Sequence, residues 1–224
     1  MTDELHLPAE IPAMTLPGVV FFPKAMMPLH IFEPRYRRML ADVLGSHRMF
    51  ALLGLDEKAV ADGADLEPPF MTASVGIIRW SQMNSDGTSN LILQGLSRIR
   101  VLDVVREDPY RVVKVEELSS VVDTVKPAIR TELSQLLDEN HDLGGEATEE
   151  MLASLTPLDN DEAYVDLVAF VLCKETLRKQ RLLETLELSE RASLLVSHLR
   201  GENERLRLLK SIMGDVTEED LEAN

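Results

Sequence analysis

The sequence predicts an α+β fold: a mostly antiparallel β unit with one early helix, followed by an all-α bundle that ends in a long helix. Three observations lead there. Up to about residue 118 the apolar residues come in short runs bounded by Pro and Gly, which is how strands and tight turns are written. Within that region only Tyr36, Met39, Leu40, Val43 and Leu44 show the i, i+3, i+4, i+7, i+8 spacing of a helix face. From about residue 121 the breakers thin out and helical spacing takes over. The expected division is therefore residues 1–120 for the β part and 121–224 for the helical part.

The elements follow in order. Residues 1–12 read as a lead-in and the first extended segment, because Pro8 and Pro12 bar a helix. Val19 to Phe22 and Met26 to Phe32 are short apolar runs. With Pro23 and Pro28 close by, the second belongs on a sheet edge, since proline cannot donate to a ladder. Pro34 suits the first turn of the helix that follows. Met49 to Leu53 has strand length. Asp56 to Pro69 is acidic, rich in turn formers, and reads as a surface excursion. Ala73 to Trp80 resumes the strand pattern, with Gly76 as a bulge or close-approach point. Asp86-Gly87 signals a hairpin into Asn90–Gln94. Gly95 then breaks the run before Arg98 to Val105, in which Ile99, Val101 and Val105 share one face and Arg98 and Arg100 the other. Arg111 to Val115 is the last strand expected.

In the second half, Val125 to Asn140 has helical spacing and stops before Gly144-Gly145. Thr148 caps a short helix through Leu155, and Asn160 or Asp161 caps the next. That one, Ala163 to Leu172, is apolar on nearly every side and belongs inside a bundle. Lys179 to Leu186 is a short helix. Ser189 caps a long one whose stripe is Leu195, Leu199, Leu206, Leu209 and Met213, with Gly201 as a point of possible kinking.

Composition narrows the function. The chain has 224 residues, 45% of them hydrophobic, so it can bury a sizeable core. Its net charge of −16 sets it against nucleic acid and anionic membranes. One cysteine leaves no internal disulfide, which fits a reducing compartment. The acidic first ten residues have no apolar signal core, and no run reaches the roughly 18 apolar residues of a membrane span. The expected location is the cytoplasm.

The stretch PGVVFFPKAMMPLHIFEPRYRRML resembles the opening of the Lon N-terminal domain, the substrate-binding module at the front of the ATP-dependent Lon proteases. The family pattern there is approximately P-x-x-x-x-F-P-x-x-x-x-P-L-x-I-F-E-x-R. Pro17, Phe22, Pro23, Pro28, Leu29, Ile31, Phe32, Glu33 and Arg35 stand in matching places. Val75-Gly76, the Asp86-Gly87 hairpin, and Gly95 with Arg98, Arg100 and Val101 follow the family's order. So do Ala163–Phe170 and Lys179-Gln180-Arg181-Leu182-Leu183-Glu184, while Leu188 and Arg191-Ala192 depart from the usual Val/Leu and Arg-Leu. The resemblance covers about residues 10–205. It implies a PUA-like β part, the stand-alone form of the domain, and binding of unfolded or hydrophobic polypeptide segments in a cleft between the two parts.

Catalytic signals are missing. There is no G-x-x-x-x-G-K-[ST] loop for phosphates, and the Ser-Lys peptidase of full-length Lon has no counterpart. Cys173 beside Lys174 follows an apolar helix and reads as a small core residue rather than an activated nucleophile. Five scattered histidines give no metal spacing. No catalytic residue, metal or cofactor is expected. The binding candidates are Phe21, Phe22, Met26, Met27 and Phe32, since methionine adapts to varied partners and an edge strand accepts an extended peptide. At least half of these are expected to be core. Arg98 and Arg100 are candidates for gripping a carboxylate or a peptide C-terminus, with a surface ion pair to the acidic helices as the alternative. A PUA-like RNA-binding reading would need a basic patch from Arg35, Arg37, Arg38, Arg98 and Arg100, against the overall charge.

Overall fold

The computed structural model describes residues 7–64, 67–121 and 127–222, and its chain divides into two units. The first runs to Ser120 and also takes Glu175–Leu186; the second takes Val121–Lys174 and the residues from Glu187 on. The division expected near residue 120 thus marks only the chain's first crossing.

The first unit begins with β1 (Glu10–Leu16), β2 (Met26–Ile31), α1 (Pro34–Leu44) and β3 (Met49–Gly54). It continues through α2 (Glu57–Ala61), β4 (Thr72–Met83), β5 (Ser89–Arg106) and β6 (Val112–Leu118). The strand order is β2-β5-β4-β3-β1-β6, and β6 also pairs with β5. Five strands therefore close on themselves, and β2 hangs outside that ring on the first half of β5. Only β1 and β3 run parallel. A parallel pair needs a long crossover, and residues 17–48, carrying β2 and α1, supply it.

Period-two alternation fills the interior. Ile11, Ala13, Met49, Ala51, Leu53, Ala73, Val75, Ile99, Val101, Val113 and Val115 form one buried cluster. α1 buries Tyr36, Met39, Leu40 and Val43, the face its spacing marks out. Register shifts at Val75/Gly76, Ile78/Trp80, Val101/Asp103 and Val104/Arg106 bend the long strands enough to close the ring.

Two strand expectations change. Val19 to Phe22 is irregular backbone, although Val20, Phe21 and Phe22 are buried. Its polar groups are satisfied from outside a ladder: the Ser74 hydroxyl donates to the Phe21 carbonyl at 2.6 Å. Gly95 does not end its strand. A Cβ there would stand 2.1 Å from the Phe22 carbonyl oxygen, so the missing side chain lets the irregular segment lie against an unbroken β5.

The helices are α3 (Pro127–Asp142), α4 (Glu149–Leu155), α5 (Asp161–Leu172), α6 (Thr176–Glu184) and α7 (Leu188–Glu222). Residues 122–126, where the first of these was expected to start, lie outside the described residues. Thr148 and Asn160 cap α4 and α5 through bonds to Met151 N–H and Ala163 N–H, as expected. α7 starts one residue before Ser189 and runs unbroken through Gly201 for 35 residues, about 52 Å.

In the second unit α5 buries Asp166 against Arg191 of α7, at 2.8 Å. The Asn140 amide of α3 donates to Asn203 of α7 at 2.8 Å, and Asn203 in turn donates to the Leu136 carbonyl. Cys173 is buried, in line with a core role. α6 belongs to the first unit. Its Gln180 amide donates to the Thr72 carbonyl at 2.9 Å, and Arg98 of β5 donates to the Leu183 carbonyl at 3.1 Å. Among the described residues, no helix is long and apolar enough to cross a membrane.

Candidate functional site

β2 is the edge its prolines predict. It pairs only with β5, from Met26 opposite Gln94 to Ile31 opposite Ser89. Just before it, Gly95 N–H donates to the Ala25 carbonyl at 2.9 Å. Antiparallel ladders alternate, so Ala25, Met27, Leu29 and Ile31 direct their backbone groups to β5. Met26, Pro28 and His30 direct theirs to the open side. That side offers the N–H groups of Met26 and His30 and the carbonyls of all three.

The same three side chains share one face of the sheet, opposite the one that carries the buried Leu91, Leu93 and Ile78. Residues directly opposite share a face. Met26, Pro28 and His30 therefore line up with Gln94, Ile92 and Asn90 of β5, and these with Ile77, Trp80 and Gln82 of β4. Met26 is 47% exposed and Trp80 46%. Together with Pro28 and Ile92 they make an apolar stripe across three strands. His30 Nδ1 lies 2.8 Å from Asn90 Oδ1, and its ring stacks on Phe32, which is 61% exposed.

The candidates named from sequence separate accordingly. Met26 and Phe32 are exposed and Met27 is half-buried. Phe21 and Phe22 are core. Arg98 and Arg100 share a strand face but not an environment. Arg98 is 2% exposed, with its guanidinium 5.7 Å from the centre of the Phe22 ring; Arg100 is exposed and pairs with Glu116 at 3.4 Å. Trp80 was not singled out from sequence. In unbroken alternation it would face inward with Ile78. The register shift between Ile78 and Trp80 adds one residue and turns it outward, and that bulge has no local signature.

A second feature adjoins this edge. A groove of about 680 Å³ lies between α1 and the β4–β5 hairpin, lined by Leu40, Ala41, Leu44 and Met83 together with Arg37 and Arg38. Pro34, the first residue of α1, and Ser89, which pairs with Ile31 at the end of β2, also line it. Arg37 extends over the hairpin turn: a Cβ on Gly87 would sit 2.2 Å from its terminal nitrogen.

The arginines do not assemble into a basic patch. Arg35 makes a two-pronged bond to Glu67 at 2.9 and 2.7 Å and a third to Glu33. That bond raises the Arg35 pKa further and holds the Glu67 carboxyl below its ordinary value. Arg111 reinforces the tie by donating to the Glu67 carbonyl and to Thr15 Oγ1, both at 2.7 Å. The acidic 56–69 excursion is thus pinned beside α1, with α2 started by the Asp56 cap. Arg38 pairs with Asp42. Asp42 also accepts from Tyr110 at 2.9 Å, which lowers its pKa. Among the described residues, no group of His, Cys, Asp and Glu could hold a metal.

Comparison with known proteins shows the family of the chain. The family model for the ATP-dependent protease La (LON) substrate-binding domain matches residues 10–201. A Lon protease of Dictyoglomus thermophilum is 26% identical over 215 residues, which is 95% of this chain and 27% of the relative. One from Anaeromyxobacter dehalogenans is 28% identical over 218 residues, 95% of this chain and 25% of the relative. The chain therefore spans about a quarter of the length of these curated relatives. Among solved structures, the Lon N-terminal domain protein from Xanthomonas campestris aligns with a TM-score of 0.63 at 21% identity, covering 84% of this chain and 97% of that one. The N-terminal domain of the Mycobacterium avium complex Lon protease aligns with a TM-score of 0.65 at 16% identity, covering 85% and 98%. These last two likenesses concern the fold.

Proposed function

The chain belongs to the family of the Lon substrate-binding domain, and from that premise we propose that it is a non-enzymatic module that holds unfolded or apolar polypeptide segments. Such a module would serve as an adaptor in cytoplasmic protein quality control. The observation that carries this reading is the open side of β2 beside the Met26–Pro28–Ile92–Trp80 stripe. An incoming extended chain finds backbone donors and acceptors along the edge, and apolar surface for every second side chain. Methionine and tryptophan suit the task because one adapts its shape and the other offers a large rigid face.

The arginine distribution favours this over RNA binding. Arg35 and Arg100 are matched to carboxylates, Arg98 is buried, and the whole chain carries −16. A phosphate track needs clustered free cations.

The test is fluorescence anisotropy with labelled, extended apolar peptides. Micromolar binding is expected, weakened by N-methylation of alternate peptide amides, which removes ladder donors. No binding at high micromolar concentration would remove the reading, as would turnover of peptide or nucleotide by the purified protein.

A further inference from the structure

The groove between α1 and the β4–β5 hairpin has a composition the apolar stripe lacks. Its apolar lining is Leu40, Ala41, Leu44 and Met83, and Arg37 and Arg38 line it with them. Arg38 is engaged by Asp42. Among the described residues, the Arg37 guanidinium has no hydrogen bond or ion pair. This occurs in a chain with 39 acidic against 23 basic residues, where an exposed arginine is surrounded by potential partners. In the turn under Arg37, Asp86 Oδ1 accepts from the Thr88 backbone N–H at 2.9 Å and hydroxyl at 2.7 Å.

We propose that this groove reads an acidic side chain set among apolar ones. Resting on the polypeptide-binding reading above, this means that segments carrying Asp or Glu beside bulky apolar residues are held in preference to uncharged ones. Charge complementarity selects the carboxylate, because a free guanidinium beside an apolar lining bonds it with two parallel donors. Dimensions select a running segment over a lone terminal group. The lining from Pro34 to Leu44 follows α1 for about 15 Å, room for roughly four extended residues. The groove begins where β2 ends, since Ser89 lines it and pairs with Ile31, the last residue of β2.

The experiment compares three N-labelled peptides of one apolar frame: two internal Glu with an amidated C-terminus, two Gln with an amidated C-terminus, and two Gln with a free carboxylate. Each is titrated against the wild type, Arg37→Gln and Arg37→Lys. The expected result is that Arg37→Gln weakens the Glu peptide about three- to tenfold and leaves both Gln peptides unchanged, with Arg37→Lys retaining part of the difference. The loss should shrink as salt rises. An unchanged Glu-peptide affinity in Arg37→Gln would overturn the proposal. So would equal weakening of all three peptides, or an effect confined to the free carboxylate. Binding of the Gln peptides in the wild type keeps the broader function standing in each of those cases; failure of all peptides to bind removes both.

Discussion

Arg98 and Arg100 sit two residues apart on one strand face, yet their consequences diverge. Arg98 donates to the Leu183 carbonyl from a buried position, and removing it leaves that carbonyl without this donor. Arg98→Met is expected to cost about 2–4 kcal/mol in urea denaturation, whereas Arg100→Gln stays within about 0.5 kcal/mol. No local pattern distinguishes the two, because the segment that covers Arg98 lies 85 residues downstream in sequence. Trp80 makes the opposite case: Trp80→Ser should leave stability within about 1 kcal/mol and weaken apolar peptide binding roughly tenfold. His47 gives the residue scale its pH dependence. Its Nδ1 accepts from the Met49 N–H at 3.1 Å, which requires the neutral ring, and burial lowers its pKa below the ordinary 6.5. A depressed histidine contributes stability that is present above the unfolded value and lost as pH falls through the folded one. The Tm is therefore expected to drop on acidification from pH 7 to 5. His47→Asn, which keeps an acceptor in reach of Met49 N–H and removes the titration, should flatten that drop.

Among the elements, those written in local chemistry were legible. The α1 face, the Asp86-Gly87 hairpin, the Thr148 and Asn160 caps and the β2 edge all follow from residue type and spacing. The Val19–Phe22 segment was not, because apolar burial in an irregular backbone looks the same as burial in a strand. Gly95 was misleading for a related reason: its role is set by a carbonyl some seventy positions earlier in the chain, not by a turn. Gly95→Ala would force the Phe22–Ala25 loop off β5 and is expected to cost more than about 3 kcal/mol, read as a lowered Tm with loss of the buried-Phe environment. The candidate stripe was half legible. Met26 and Phe32 could be named from the Pro-flanked run, but Trp80, two strands away on β4, is turned to the same face as Met26 by a bulge.

For the whole molecule, the order of the chain is not the order of the units. The unit that holds the β ring also takes Glu175–Leu186, so the compositional shift at residue 121 marks a change of element type and only the first boundary of that unit. A chain ended at Ser120 lacks the Leu183 and Gln180 contacts to Arg98 and Thr72. It is expected to be poorly stable by circular dichroism, and a peptide of residues 174–187 added in trans should raise its Tm.

The proline in the middle of β2 has a further effect. Its open side presents an amide at Met26 and another at His30, with a gap between them where Pro28 has none. A visiting strand that zips along this rail therefore loses its grip halfway, and main-chain contact alone cannot hold it for long. Guests are expected to come and go quickly, with side chains deciding which ones linger. The same missing tooth blunts any tendency of identical copies to stack edge to edge.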